Sequence, residues 1–387
     1  MIIRGERALA YVVSVNDITA IEGADNIELA HVGGWTVIVR KGEFTPGSAG
    51  VFFEIDSKLP EEDERFAFLA AKHYKIKTMK LSKFGVYSQG LLMPLSMFPE
   101  LGEIAIGTDV TKTLGVTYAV AEDNIRKAST AKLNYKSMSA RHPWLFKTKP
   151  MRFLMKREWG RKLLYFFFGG RGKQSLAFPD FVSKTDEERI ENQPWRVGDG
   201  KQYIATEKLD GTSCTYALKK RRWGRPEFFV CSRNVRQKDE NQKCYHDHNI
   251  YWDLAFKYGI EDVLKKLLEE TGADWVCIQG EGVGSVQGNP LKLKEDDLYV
   301  FNLIDSVNGR WDSLQAEEKL SAFGMKWVPI LGCVTLPDDM ETLKNEADGK
   351  SVVNPTVLRE GIVYRSLDGK DSFKNVSRKY LLKGGRG

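Results

Sequence analysis

The chain has 387 residues, of which 42% are hydrophobic and 28% charged, as in an ordinary globular protein of about two domains. A chain of this length buries a large core without disulfides, and its five scattered cysteines fit reduced thiols and exclude a disulfide framework. The net charge of +6 is concentrated: residues 126–173 hold fourteen Lys or Arg against the single acid Glu158, so that stretch is +13 and the remainder −7. No signal-peptide-like leader opens the sequence, and the longest conspicuous apolar run, Leu163 to Phe168, is too short to span a bilayer, so an intracellular (cytoplasmic) protein is expected.

The first third reads as β. Runs at Tyr11–Val15, Trp35–Val39 and Gly50–Ile55 are rich in β-branched and aromatic residues, and Gly33-Gly34 and Pro46-Gly47 punctuate them. Residues 85–92 suggest a further strand pair or a strand with a bulge. Short strands at this spacing predict a small barrel over 1–110, of OB type by size, although an SH3-like barrel fits the same pattern.

Residues 111–175 form a basic, aromatic-rich linker or insertion. Its cations and its rings (Trp144, Phe146, Phe153, Trp159, Tyr165 to Phe168) suit a nucleic-acid surface, phosphates to Lys/Arg and bases to aromatics. The same pattern fits a membrane surface. It also fits rings that glue two domains together while the cations stay solvated.

From residue 176 to 387 the pattern is mixed. Strands are predicted at 203–206, 228–231, 275–278, 298–303 and 361–364. Helices are predicted over 251–268 and 314–323. The acidic runs 61–64 and 186–188 read as solvated caps or faces. The cluster Cys244-Tyr245-His246-Asp247-His248 lacks a second ligand pair at zinc-finger distance and reads as a polar loop.

Lys208-Leu209-Asp210-Gly211 follows a β-run, with Glu207 before it. A lysine attacks phosphorus only when deprotonated, so a nucleophilic Lys208 needs its pKa depressed by a metal or by other cations. Further pieces follow in order: Ser232-Arg233-Asn234, Gln279-Gly280-Glu281-Gly282 at a strand end, Tyr299-Val300-Phe301-Asn302, Glu360-Gly361-Ile362-Val363 and Ser372-Phe373-Lys374. Each has an ordinary structural reading alone: Arg233 as surface, Phe301 as core, the acids as turn residues. Their joint order is what resists chance.

This series resembles the motif ladder of covalent nucleotidyltransferases, the superfamily of DNA ligases, RNA ligases and capping enzymes. Within it the chain is similar to ATP-dependent RNA ligases that carry an OB domain ahead of the nucleotidyltransferase domain. The segment Phe178 to Ile190 and the close, Ser372 through Lys383, look like that branch too. The resemblance implies an α+β chain, an OB-type barrel and then a mixed α/β nucleotidyltransferase domain. It implies RNA as partner, nicked or broken, with a DNA or RNA template. Capping enzymes usually carry the OB domain after the catalytic one, which makes capping the poorer fit.

By the same resemblance Lys208 carries AMP, Glu207 reads adenine, Phe301 stacks on it and Arg233 contacts ribose. Asp210, Glu281 and Glu360 hold Mg²⁺ or Mn²⁺. Lys374 neutralises the α-phosphate of ATP, and Arg189 reaches the nucleotide phosphates. Related enzymes often repeat the late lysine two residues on, where this chain has Val376; Lys379 or Lys383 is the substitute on offer, or Lys374 acts alone. The alternatives are a DNA ligase with the same chemistry, or a non-catalytic OB-fold RNA-binding protein.

Overall fold

The computed structural model describes residues 1–3, 6–119, 177–240 and 248–384. The basic stretch 126–173 and the run Cys244 to Asp247 lie outside them. The chain divides into two compact units, Met1–Ala119 with Pro179–Gly387, and Val120–Phe178.

The N-terminal half of the first unit consists of short antiparallel strands. Strands β1 (Ala10–Ser14), β5 (Ala49–Phe53) and β6 (Leu91–Pro94) form one sheet, with β5 in the middle. Strands β2 (Asp17–Ala20), β3 (Ile27–Val32) and β4 (Trp35–Arg40) form a meander. In β4 the alternation Trp35, Val37, Val39 faces the core and Arg40 faces water, as period two requires. Aromatic rings fill the interior: Trp35 lies 5.5 Å from Phe52, and Phe53 lies 5.5 Å from Phe66, edge to face. Full burial of each such ring stabilises by very roughly 1.5–3 kcal/mol. Residues 85–92 hold two strands, as the strand-pair reading expected, but the two do not pair with each other. Val86–Ser88 pairs with Met79–Leu81, whereas β6 pairs with β5.

The C-terminal half holds two sheets. In the first, β7 (Glu188–Arg189), β15 (Ser372–Val376), β14 (Gly361–Ser366), β8 (Gln202–Lys208) and β13 (Ile330–Thr335) lie side by side in that order. The second is seven-stranded; its centre runs β10 (Glu227–Cys231), β9 (Thr212–Lys219), β11 (Trp275–Val283), β12 (Asp297–Asp305). Helices α1 (Ile250–Lys257) and α2 (Ile260–Thr271) cover this sheet through Leu254, Val263, Leu264, Leu267 and Leu268. The single predicted helix over 251–268 is thus two, broken where Gly259 takes φ 55°. The later predicted helix is α3 (Ser313–Ser321), capped by Asp312, which accepts from the N–H groups of Leu314 and Gln315. Among the described residues no helix is long and apolar enough to cross a membrane.

A buried polar network joins the two halves. Glu54, fully buried, accepts from Arg7 (3.1 Å), from the Tyr11 hydroxyl (3.0 Å) and from Asn192 Nδ2 (2.8 Å), and the terminal amino group of Met1 donates to it as well. Burial works to raise this carboxyl, but Arg7 and the amino group bring it down to about 2. Trp35 Nε1 donates to Asn192 Oδ1 at 2.7 Å, and Gly34 N to Glu191 O at 2.7 Å.

Candidate active site

The chain crosses from one C-terminal sheet to the other at Lys208-Leu209-Asp210-Gly211, between the end of β8 and the start of β9. Gly211 is needed there. A Cβ on it would lie 2.3 Å from the carbonyl oxygen of Gly282 in the neighbouring strand. Antiparallel pairing sets Lys208 opposite Gly361, which brings the preceding residue, Glu360, against the lysine. Lys208 Nζ donates to Glu360 Oε1 at 2.6 Å. The other oxygen, Oε2, is buried without a hydrogen-bond partner.

Glu281 completes the group from β11, where it pairs with Ser213 of β9 and Tyr299 of β12. It lies inside the strand, which continues to Val283, and not at a strand end as its flanking glycines suggest. Burial pushes Glu281 up to about 8 against the pull of Lys208, with Glu360 and Asp210 adding to the rise. Burial likewise pushes Glu360 up to about 7. Asp210 is tied to the last helix, α4 (Arg378–Leu382), by a short hydrogen bond from the Tyr380 hydroxyl.

These acids push the Lys208 titration the opposite way from the metal or cations that its chemistry needs. Burial works to lower its amine, yet Glu360, Glu281 and Asp210 outweigh burial and hold it above its ordinary value. Of the two expected sources of depression, a metal ion and neighbouring cations, the acids outweigh the cations.

Lys374, in β15, is one of them. It is buried, and burial together with Arg189, Arg7 and Lys208 lowers it to about 7. Arg189 is its register partner across the parallel pair β7–β15. The Arg189 side chain is buried, bonds Asp56 at 3.3 Å, and leaves Nε and Nη1 without partners. Of the substitutes for the missing second lysine, Lys379 is exposed and paired with Asp348 at 3.3 Å, and Lys383 is exposed. The second buried cation beside Lys374 is Arg189.

The sign of the Lys374 shift makes a prediction. Its folded value lies below its unfolded one, so the native state carries the cost of a buried charge in full below about pH 7. That cost fades as pH rises towards the ordinary lysine value. Lys374→Met is therefore expected to stabilise the fold at pH 6, by about a few kcal/mol as an order of magnitude and seen as a higher melting temperature, and by much less at pH 9.5. An equal or opposite effect at both pH values would show that Lys374 is not a strained cation.

Glu207 and Lys208, adjacent in β8, alternate in direction. Glu207 is buried on its own side and accepts from Val352 N at 2.8 Å, with Oε1 unpartnered. Phe301 sits where the β11–β12 register slips: Gln279 pairs with Asn302 and Gly280 with Val300, leaving Phe301 as the extra residue of a bulge. Bulges re-aim side chains. The half-buried ring lies 5.7 Å from the guanidinium of Arg365. Arg233 is half-exposed and held by Asp186, whose two oxygens each lie 2.5 Å from one guanidinium nitrogen. The structure thus gathers Lys208, Asp210, Glu281 and Glu360, with Lys374 and Arg189 in the same field. Glu207, Phe301 and Arg233 lie on the flanking strands and loops.

The acidic run 186–188 is not a solvated face. Asp186 holds Arg233, Glu187 pairs with buried Arg365 at 3.5 Å and accepts from Ser372, and Glu188 accepts from Asn192 at 2.8 Å. These acids, Arg365 and Tyr380 are contributors that the motif series leaves out. The run of three acids directly before Arg189 was the available signal. At 61–64, by contrast, Asp63 caps a helical turn by accepting from Arg65 N at 3.0 Å.

Among the described residues, no three acids, histidines or cysteines already form a metal cage. The acids here fit an ion that uses one or two carboxylates and completes its shell with water and phosphate oxygens, as Mg²⁺ does. The unpartnered Glu360 Oε2 is the donor atom in point.

An OB-fold domain family matches residues 9–95, and the RNA ligase family matches residues 201–381. Among solved structures, the Naegleria gruberi RNA ligase with pyrophosphate is 31% identical, covering 98% of this chain and 99% of the other, with a TM-score of 0.74. A mutant of that ligase with ATP and Mn is 30% identical over 97% of this chain and 98% of the other, TM-score 0.73. Another mutant with AMP and Mn is 30% identical over 97% and 99%, TM-score 0.73. Among curated proteins no sequence matches. With an OB fold of this kind at its N-terminus and this lysine among these acids, the chain belongs to the RNA ligase family.

Proposed function

We propose that this chain seals RNA 3′-hydroxyl and 5′-phosphate ends with ATP, through an AMP carried covalently on Lys208, in the repair of broken RNA in the cytoplasm. The observation that carries the reading is Lys208 Nζ, 2.6 Å from Glu360, at a strand end that shares a buried field with Asp210 and Glu281. The ligands of the similar structures support it. ATP, AMP and pyrophosphate are the whole and the two halves of one cleavage at the α-phosphorus.

In the first step Lys208 Nζ attacks the α-phosphorus of ATP. An N–P bond forms, the bond to the β-phosphate oxygen breaks, and pyrophosphate leaves with the electron pair. Asp210, Glu281 and Glu360 hold Mg²⁺ or Mn²⁺, partly through its waters. Held there, such an ion would supply positive charge to lower the Lys208 amine and to offset the charge developing on phosphate. Lys374 and Arg189 neutralise phosphate oxygens, Arg189 with its two unpartnered donors. Glu207 reads the adenine edge with its free oxygen, Phe301 stacks on the base, and Arg233 leaves Asp186 for the ribose. AMP then passes to the RNA 5′-phosphate, and the 3′-hydroxyl displaces it. The substrate is a nicked duplex or a broken strand, on an RNA or DNA template.

Incubation of the full chain with ATP and Mg²⁺ or Mn²⁺ is expected to add the mass of one AMP, and chelation with EDTA to prevent it. Absence of the adduct with either metal defeats the covalent reading.

A further inference from the structure

Strand β9 starts beside the carboxylates and leads away from them. Its first residue, Thr212, pairs with Gly282, next to Glu281; its last, Lys219, pairs with Trp275. Seven residue steps at about 3.3 Å put the far end roughly 23 Å from the acids. There the chain turns back into β10 through Lys219-Lys220-Arg221-Arg222-Trp223-Gly224-Arg225-Pro226. Five of the seven residues from 219 to 225 are cations and none is acidic. Residues 220–226 are all exposed, and the Trp223 ring is 83% exposed.

An ordinary solvated turn accounts for part of this. Arg221 is neutralised by Glu227 at 2.6 Å, and Lys220 donates to Gly272 O at 3.1 Å. It does not account for Trp223, because exposing an indole at the crest of a turn forfeits its burial. The indole stands between Arg222 and Arg225, and no acid side chain is drawn to either among the described residues. The foot of the turn is fixed. Lys219 Nζ lies 4.3 Å from the centre of the Phe181 ring, which packs edge-on against Phe229 at 5.3 Å. Cations interleaved with an exposed ring, on a two-stranded ribbon, are the chemistry that holds a nucleic-acid strand.

We propose that the 219–226 hairpin is a second RNA-holding surface, remote from the reactive ends, with Arg222 and Arg225 on phosphates and Trp223 stacked on a base. It rests on membership of the RNA ligase family and not on the roles assigned around Lys208. At about 3.4 Å per nucleotide step, the span corresponds to roughly seven nucleotides. It contacts strand well beyond the join and reads no sequence.

The test uses the full chain, its double variant R222A/R225A, and W223A, with fluorescently labelled single-stranded RNAs of about 6 and about 24 nucleotides. Wild-type affinity is expected to climb with RNA length, because only the longer strand reaches both surfaces, and each variant is expected to lose most of that climb. In the double variant the slope of log K against log salt should fall by about 1.5 for the two phosphates. W223A should weaken the longer RNA about fivefold or more. Labelling of the chain by ATP and thermal stability should not change. Unaltered binding of the longer RNA by both variants overturns the proposal. So does loss of binding to phosphatidylserine vesicles with RNA binding intact, which would make the hairpin a membrane contact. Because ATP labelling is read separately, its failure would count against the Lys208 chemistry and not against the hairpin.

Discussion

Lys208→Ala is expected to abolish the covalent AMP adduct and to reduce sealing of 5′-phosphate RNA by at least about 10⁴-fold, the scale of losing a nucleophile. Lys208→Arg should fail equally, because a guanidinium stays protonated throughout the working range. An RNA that already carries AMP on its 5′-phosphate needs no lysine nucleophile, so both variants should still join it to a 3′-hydroxyl. The fold should survive the change. Glu281 and Glu360 already sit at about 8 and 7 with Lys208 pulling them down, so without that cation they rise further and take up protons in place of carrying bare buried charge. An adduct on Lys208→Ala, read with α-labelled ATP, would remove Lys208 from the chemistry. Loss of joining on the pre-adenylylated RNA would instead place the damage in the fold.

The second large effect separates two meanings of the Lys208–Glu360 contact. If Glu360 did no more than hold the lysine protonated, Glu360→Gln would lower the amine and speed adduct formation. If Glu360 supplies an oxygen to the divalent ion, the same substitution should slow adduct formation about 10²- to 10³-fold, the usual scale for removing one electrostatic stabiliser. It should also raise the metal concentration needed for half-maximal rate. The buried, unpartnered Oε2 favours the second outcome. Single-turnover labelling across a Mn²⁺ titration measures both quantities, and an accelerated Glu360→Gln enzyme would refute the metal role.

Much of this site was legible in the sequence because its residues sit at strand ends and edges, where local pattern and position agree. Lys208 closes a β-run, and Glu360 opens one. The strands themselves announced their positions through β-branched and aromatic residues, as in Trp35 to Val39. Illegible features depended on pairing at long range. Gly280 and Gly282 read as a strand end, but β11 runs through them because its neighbours approach closely; a Cβ on Gly280 would lie 2.7 Å from Tyr299 O. The bulge at Phe301 exists only in the register of two strands. The acids at 186–188 read as solvated because their partners, Arg233, Arg365 and Asn192, include residues far along the chain. The hold of Glu360, Glu281 and Asp210 on the Lys208 amine was illegible for the same reason. Counting nearby cations from sequence says nothing of how much closer the acids are.

The carboxylate of Glu54 is gripped on one side by the barrel and on the other by Asn192 of the ligase half. Hinge opening at that seam would strip a fully buried anion of a partner, and would also free the Trp35 indole and the Gly34 backbone. Such losses are steep, on the order of several kcal/mol together. The seam therefore acts as a clasp, and the barrel and the ligase half are expected to move as one body.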